Sequence, residues 1–149
     1  MLAVAPSPAR PFRRLFELAS GGMATVEVVL RDEGHFQRLF ALKRLHRHMH
    51  ADADIRAMFL DEARVAGLIR HPNVVSVLDV GEDEDGPFLV MPFVSGLSLA
   101  RFLEEHREVP LAVGLGIAIQ IADGLHAAHE LVGHDGRPLG LVHRDISPQ

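Results

Sequence analysis

Residues 36–45, Phe36-Gln37-Arg38-Leu39-Phe40-Ala41-Leu42-Lys43-Arg44-Leu45, decide how this chain folds. Side chains of an extended strand alternate between two faces, so Ala41, Lys43 and Leu45 share one face and Lys43 points where two apolar neighbours point. Lys43 is also the only lysine among 15 basic residues. Where arginine serves every other cationic position, a solitary lysine marks a place that needs a compact ammonium. The segment that follows supplies a partner. Asp52 or Asp54 caps a helix running to about Ile69, on which Ile55, Met58, Phe59, Glu62, Ala66 and Ile69 recur at helical spacing. Glu62 lies on that apolar stripe, whereas Asp61 and Arg64 point away, and a carboxylate on a buried face calls for a cation. The alternative is a Glu62 in water at the edge of the stripe. Together with the lone lysine, the pattern predicts a Lys43–Glu62 pair between strand and helix.

Working outward, residues 12–18 and 25–31 read as two strands joined through Ala19-Ser20-Gly21-Gly22-Met23-Ala24, and a turn at Glu33-Gly34 leads into the third strand. His71-Pro72-Asn73 ends the helix. Residues 74–80 and 88–91 read as strands around the acidic tip Glu82-Asp83-Glu84-Asp85-Gly86, whose charges are expected to be solvated. Residues 98–106 and 111–130 read as helices, and 133–140 as a loop before Leu141-Val142 and His143-Arg144-Asp145. Five strands with one helix after the third, then helices alone, make an α+β lobe followed by the start of an α lobe.

The composition excludes several functions. A chain of 149 residues, 48% hydrophobic and 23% charged, is a soluble globular chain about one domain long, and a net charge of −5 lacks the basic field of a general nucleic-acid or membrane-surface binder. With no cysteine there is no disulfide framework, thiolate metal site or thiol catalysis, which fits a cytoplasmic setting. The uncharged stretch at residues 109–122 is short of the roughly 20 residues that span a bilayer and reads as a buried helix. Residues 1–11, broken by Pro6, Pro8 and Pro11, read as a disordered leader without a signal peptide's basic start. Ten histidines invite a metal reading, but neither His46, His48 and His50 nor His126 and His129 come with a fixed ligand geometry, and no metal ligand is assigned.

Two further stretches carry chemistry. Gly21 and Gly22 between two strands let the backbone approach a ligand and aim N–H groups at phosphate oxygens; because a strand follows, this is no Walker-type loop. Asp145, just after a short strand and before a proline-bearing loop, is placed to accept a hydroxyl proton. A plain turn and a surface salt bridge are the respective structural alternatives.

In order, the glycine turn 19–26, Phe40-Ala41-Leu42-Lys43, Glu62 nine residues before His71-Pro72-Asn73, Val90-Met91-Pro92-Phe93-Val94 and His143-Arg144-Asp145 resemble the motifs of the eukaryotic-like serine/threonine protein kinases of bacteria. The resemblance implies a kinase N-lobe, a five-stranded antiparallel sheet plus one helix, over residues 12–94, and the start of a helical C-lobe over 95–149, truncated within the catalytic loop. It implies transfer of the ATP γ-phosphoryl to a protein hydroxyl with Mg2+. By resemblance, Lys43 grips the α and β phosphates and pairs with Glu62, Ala19, Gly21 and Gly22 form the phosphate loop, and Val26 and Ala41 cover the adenine. Met91 is the gatekeeper, Pro92 and Val94 offer hinge backbone groups, and Asp145 orients the acceptor hydroxyl. The partners implied are ATP and a protein substrate, with no nucleic acid or membrane.

The departures carry information too. Ala19 and Ala24 replace the first and third glycines of the loop, and Ser147 stands where a lysine usually follows the catalytic Asp; Pro148 keeps the serine/threonine-type pattern. The chain stops one residue before the expected magnesium-binding Asn, so the magnesium ligands are expected beyond residue 149 and the chain alone is expected to be inactive. A truncated or pseudokinase binding module and a kinase-like small-molecule phosphotransferase are the rival readings.

Overall fold

The computed structural model describes residues 12–32, 34–106, 108–133 and 135–149. The leader at 1–11 and Glu33 of the expected turn lie outside them. The chain forms two compact units, the first made of residues up to Ala63 with Val77–Phe93 and the second of Arg64–Ser76 with Val94–Gln149. The sequence placed one boundary after Val94; the structure also groups 64–76 with the helical unit.

The first unit is a five-stranded sheet and one helix. Strands β1 (Arg13–Ser20), β2 (Ala24–Asp32), β3 (Gln37–Leu45), β4 (Asp79–Asp83) and β5 (Gly86–Pro92) are ordered β1-β2-β3-β5-β4, with every neighbouring pair antiparallel. Helix α1 (Ala53–Ala66) starts at Asp52, whose carboxylate accepts the backbone N–H groups of Asp54 and Ile55 at 3.0 and 3.1 Å. That satisfies two donors the helix cannot pair internally.

The strand alternation sorts the sheet into two faces. On the inner face Ala24, Leu45 and Leu89 pack with Phe59 and Ala63 of α1. On the outer face Val29, Phe40, Leu42, Phe88 and Val90 form a second cluster, closed by Phe12, whose ring meets those of Phe40 and Phe88 edge-on at 6.1 Å each. The central strands β2, β3 and β5 are rich in Val, Leu and Phe because both of their faces are covered.

The fourth strand differs from its expected place. It begins at Asp79 and runs into the acidic tip, and residues 74–78 are not strand. The reason is tertiary: the Val74 N–H is bonded to the His71 carbonyl, Asn73 donates its side-chain amide to the Gln120 carbonyl, and pairing with β5 starts only at the Leu78 N–H, 2.8 Å from the Val90 carbonyl. The acidic tip is correspondingly not a free solvated loop. Glu82 and Asp83 are strand residues, and Glu82, Asp83 and Asp85 each pair with an arginine. Helix α1 also stops at Ala66 rather than Ile69, and a 3-10 turn at Arg47–Met49 follows β3.

In the second unit, helix α2 (Leu99–Glu105) is capped by the Ser98 hydroxyl, and helix α3 (Leu111–His129) follows Pro110. Gly124 is the buried residue of α3, where an added methyl would lie 3.1 Å from the Asn73 carbonyl oxygen. Leu111, Leu115, Ile119 and Ile121 are exposed, so the helix read as buried is fully covered only at Gly124 by the described residues, with Ile117 and Leu125 half-buried. Its length and composition would suffice to cross a membrane.

One position makes the hairpin geometry testable. Gly86 has φ +97°, and a Cβ there would fall 2.1 Å from the His50 ring, which is held by its Nε2 contact with the Leu45 carbonyl at 3.0 Å. Gly86→Ala is expected to lower unfolding free energy by more than the ~1–2 kcal/mol of left-handed strain in an L-residue. In a His50→Ala background the steric part is relieved and only the backbone part remains. An equal cost in both backgrounds, measured by denaturant unfolding, would mean that His50 is not the obstacle.

Candidate active site

The alternation that gives the sheet its core also gathers the candidate residues. Val26 lies opposite Lys43, Ala41 opposite Met91, and Lys43 opposite Leu89. Directly opposed residues share a face, so Val26, Ala41, Lys43 and Met91 stand on the inner face beside α1. Lys43 Nζ donates to Glu62 Oε1 at 2.5 Å and lies 5.9 Å from the Phe59 ring centre. The Lys43 side chain is 23% exposed and that of Glu62 50%, which puts Glu62 on the rim of the buried stripe.

The glycine turn lies between β1 and β2, with the Gly21 N–H donating to the Ala24 carbonyl at 2.9 Å. Ala19 sits in β1 opposite Val26, next to an irregularity between Glu17 and Ala19. Neither glycine needs positive φ, and a methyl at Gly22 would touch nothing, at Gly21 only the Ala24 carbonyl at 3.8 Å. The protein's own packing therefore gives no reason for glycine at these two positions. The turn is tied down on one side, where the His46 N–H donates to the Met23 carbonyl and the His46 ring meets the Thr25 hydroxyl at 3.0 Å.

The remaining candidates divide between the units. Pro92 ends β5 opposite Phe40, while Val94 belongs to the second unit and is exposed. Asp145 also belongs to the second unit. Its backbone N–H donates to His143 Nδ1 at 3.3 Å, and the intervening Arg144 has φ 64°. This is the one non-glycine residue with positive φ among those described, a strained conformation of the kind that concentrates at functional loops.

A set of contacts that sequence reading missed surrounds the far end of α1. Arg56 on α1 makes a two-pronged bond to Glu82 on β4 at 2.7 and 2.6 Å. Arg44 on β3 grips Asp83 the same way at 2.5 and 2.9 Å, and Arg47 pairs with Asp85. The only signal in the sequence was a balance of charge, with carboxylates clustered at one hairpin tip and arginines spread from the end of the third strand into the helix. The hydrogen bond from Arg56 holds the Glu82 carboxyl below its ordinary pKa, and Glu82 raises that of Arg56. Burial works against ionisation of Asp83, but the Arg44 bond and the Asp85 N–H outweigh it and leave its carboxyl lowered. Among the described residues no three His, Asp or Glu side chains are grouped as a metal site.

The protein kinase domain model matches residues 12–149. The chain belongs to the protein kinase family. This kinase chain is 37% identical over 146 residues to the tyrosine-protein kinase MasK of Myxococcus xanthus, covering 95% of the chain and 23% of that relative. It is 38% identical over 138 residues to the serine/threonine-protein kinase pkn2 of the same organism, covering 93% of the chain and 15% of the relative. A solved structure of Rad53 residues 1-466 in complex with AMP-PNP superposes with a TM-score of 0.71 at 26% identity, over 92% of this chain and 33% of that one. The kinase chain thus spans less than a quarter of the length of these curated relatives. The expected lobe, a five-stranded antiparallel sheet with one helix followed by further helices, is the observed one.

The lowered carboxylates give the kinase lobe a pH dependence of defined sign. A carboxyl with a folded pKa below its unfolded value adds stability that is complete above the unfolded value and is lost as pH falls through the folded one. Stability is therefore expected to fall as pH drops below about 4.3, the value of a free glutamate. Glu82→Gln should flatten this acid limb while lowering stability at neutral pH. An acid limb of unchanged slope in a urea-unfolding series would show that Glu82 is not one of the responsible groups.

Proposed function

We propose that the inner face of the sheet binds ATP and that the protein to which this chain belongs transfers the γ-phosphoryl to serine or threonine hydroxyls of a protein substrate. The observation that carries the reading is the Lys43–Glu62 pair beside a turn whose glycines the chain's own packing does not require. A backbone left open at Gly21 and Gly22 suits close approach of phosphate oxygens. An ammonium held by a carboxylate is aimed and ready to bridge the α and β phosphates. Val26, Ala41 and Met91 supply the apolar wall for a purine, and Pro92 and Val94 the backbone groups that read it.

In this reading Asp145 accepts the proton of the acceptor hydroxyl as its oxygen bonds to the γ phosphorus and ADP leaves. Magnesium, when bound, would neutralise charge on the phosphates. Pro148 supports a serine/threonine acceptor, and Ser147 removes one positive charge from the neighbourhood of the transferred group. The family match runs through α3, which supports a helix packed within a kinase domain in the cytoplasm rather than one spanning a bilayer. The departures Ala19, Ala24 and Ser147 favour the second reading, a domain that binds nucleotide without transferring phosphate.

The hinge tests nucleotide binding directly. The adenine amino group is expected to donate to the Pro92 carbonyl, and a ring nitrogen to accept from the Val94 N–H. Proline keeps its carbonyl, so Pro92→Glu should leave affinity nearly unchanged. Val94→Pro removes the donor and strands an acceptor, a loss of about 1–3 kcal/mol, or roughly 5- to 150-fold in dissociation constant. Calorimetric titration of the whole protein with a non-hydrolysable ATP analogue decides between them. Equal weakening by both substitutions, or by neither, would place the adenine elsewhere.

A further inference from the structure

We infer that Arg56 and Glu82 are a positioning pair: they fix the rotation of α1 about its own axis and thereby hold Glu62 against Lys43. The importance of that contact for nucleotide rests on the function proposed above; the mechanical coupling does not.

Arg56 and Glu62 each lie three residues from Phe59, which places them about 60° to either side of it and about 4.5 Å before and after it along the axis. Phe59 is fully buried and packs in one cluster with Leu89 of β5, the strand lying between β3 and β4. One flank of the helix reaches β3 through Glu62 and Lys43, and the other reaches β4 through Arg56 and Glu82. The helix is thus pinned at three points across three neighbouring strands, with the aromatic ring as the pivot. A roll that carries Glu62 away from Lys43 drives Arg56 toward the sheet and breaks its two-pronged geometry. A roll the other way lifts Arg56 off Glu82.

Magnitudes say which contact controls the other. The two carboxylates are about equally exposed, 50% for Glu62 and 51% for Glu82, so geometry separates the pairs: Lys43 meets Glu62 through a single contact, the kind of ion pair that rarely fixes a geometry unaided. Arg56 engages both oxygens of Glu82, which defines an orientation as well as a distance. Its anchor is itself immobilised. The residue after Glu82 is gripped by Arg44, which also donates to the Gly86 carbonyl at 3.2 Å, and Asp85 is paired with Arg47. The hairpin is therefore a fixed rail on the sheet, and Arg56 is the hand that holds it.

The single lysine supplies the probe. Protein isotope-labelled at lysine Cε gives one side-chain correlation in a heteronuclear NMR spectrum, and Glu62→Gln defines its position when the pair is absent. Arg56→Gln and Glu82→Gln change the local charge in opposite directions, so a direct field effect on Lys43 would move the signal oppositely. Loss of positioning would move it the same way, toward the Glu62→Gln position. The swap Arg56→Glu with Glu82→Arg should return the signal to its wild-type place. Circular dichroism on each variant confirms that the lobe is folded, and the swap carries the test if either single variant is not. Opposite shifts, no shift, or a swap that stays at the Glu62→Gln position would overturn the inference. Titration of the wild type with an ATP analogue tests the nucleotide site separately, because the Lys43 signal is read without ligand.

Discussion

The candidate site depends on the seating of one aromatic ring. Phe59 is fully buried between α1 and the sheet, and full burial of such a side chain is worth about 1.5–3 kcal/mol, more than the ~0–1 kcal/mol typical of an ion pair with a half-exposed partner. The ring, not the charge pair, brings helix and strand together. Lys43 and Glu62 then meet beside that contact, one from the strand and one from the helix. The lysine is 5.9 Å from the ring it stands beside, and the glutamate is one helical turn beyond it. This order of causes explains how a lobe of fewer than 90 residues can hold a charged pair at the edge of its core without burying either charge completely.

A second constraint follows from the sheet order. Because β5 lies between β3 and β4, a helix packed over β5 faces both neighbours, and the chain places an ion pair at each. The acidic hairpin, gripped by arginines from the end of β3 and the link after it, becomes part of the support for the site. Arg144 adopts left-handed backbone between His143 and Asp145, at an expected cost of about 1–2 kcal/mol, and so presents the aspartate on a loop of defined shape.

Much of this was legible in the sequence, and the failures have physical causes. Strand β3 was legible from the alternation that sets Ala41, Lys43 and Leu45 on one face, and helix α1, to within three residues of its end, from apolar side chains recurring about every 3.6 residues. The Lys43–Glu62 contact followed from polar residues that interrupted those patterns. The fourth strand was placed too early because Val74, Val75 and Val77 have strand-forming side chains, while the backbone there is committed elsewhere by Asn73 and His71. Propensity lost to tertiary context. The arginine clamps were not legible because exposed charges carry no periodicity, and their pairing across 26 to 39 residues depends on sheet order. The family resemblance carried the assignment of roles at the glycine turn, where spacing alone allowed a plain turn.

The central claim is that Lys43 lies where the phosphates of ATP bind, and the absence of any other lysine permits a direct measurement. An acyl-phosphate derivative of ATP transfers its acyl group to an amine held near the phosphates and can be followed by mass spectrometry of digested peptides. The account predicts acylation at Lys43, suppressed by excess ATP and retained when excess nicotinamide dinucleotide is added instead. Acylation of Lys43 that excess ATP does not suppress, or an unmodified Lys43 under conditions that label the N-terminal amine, would contradict it.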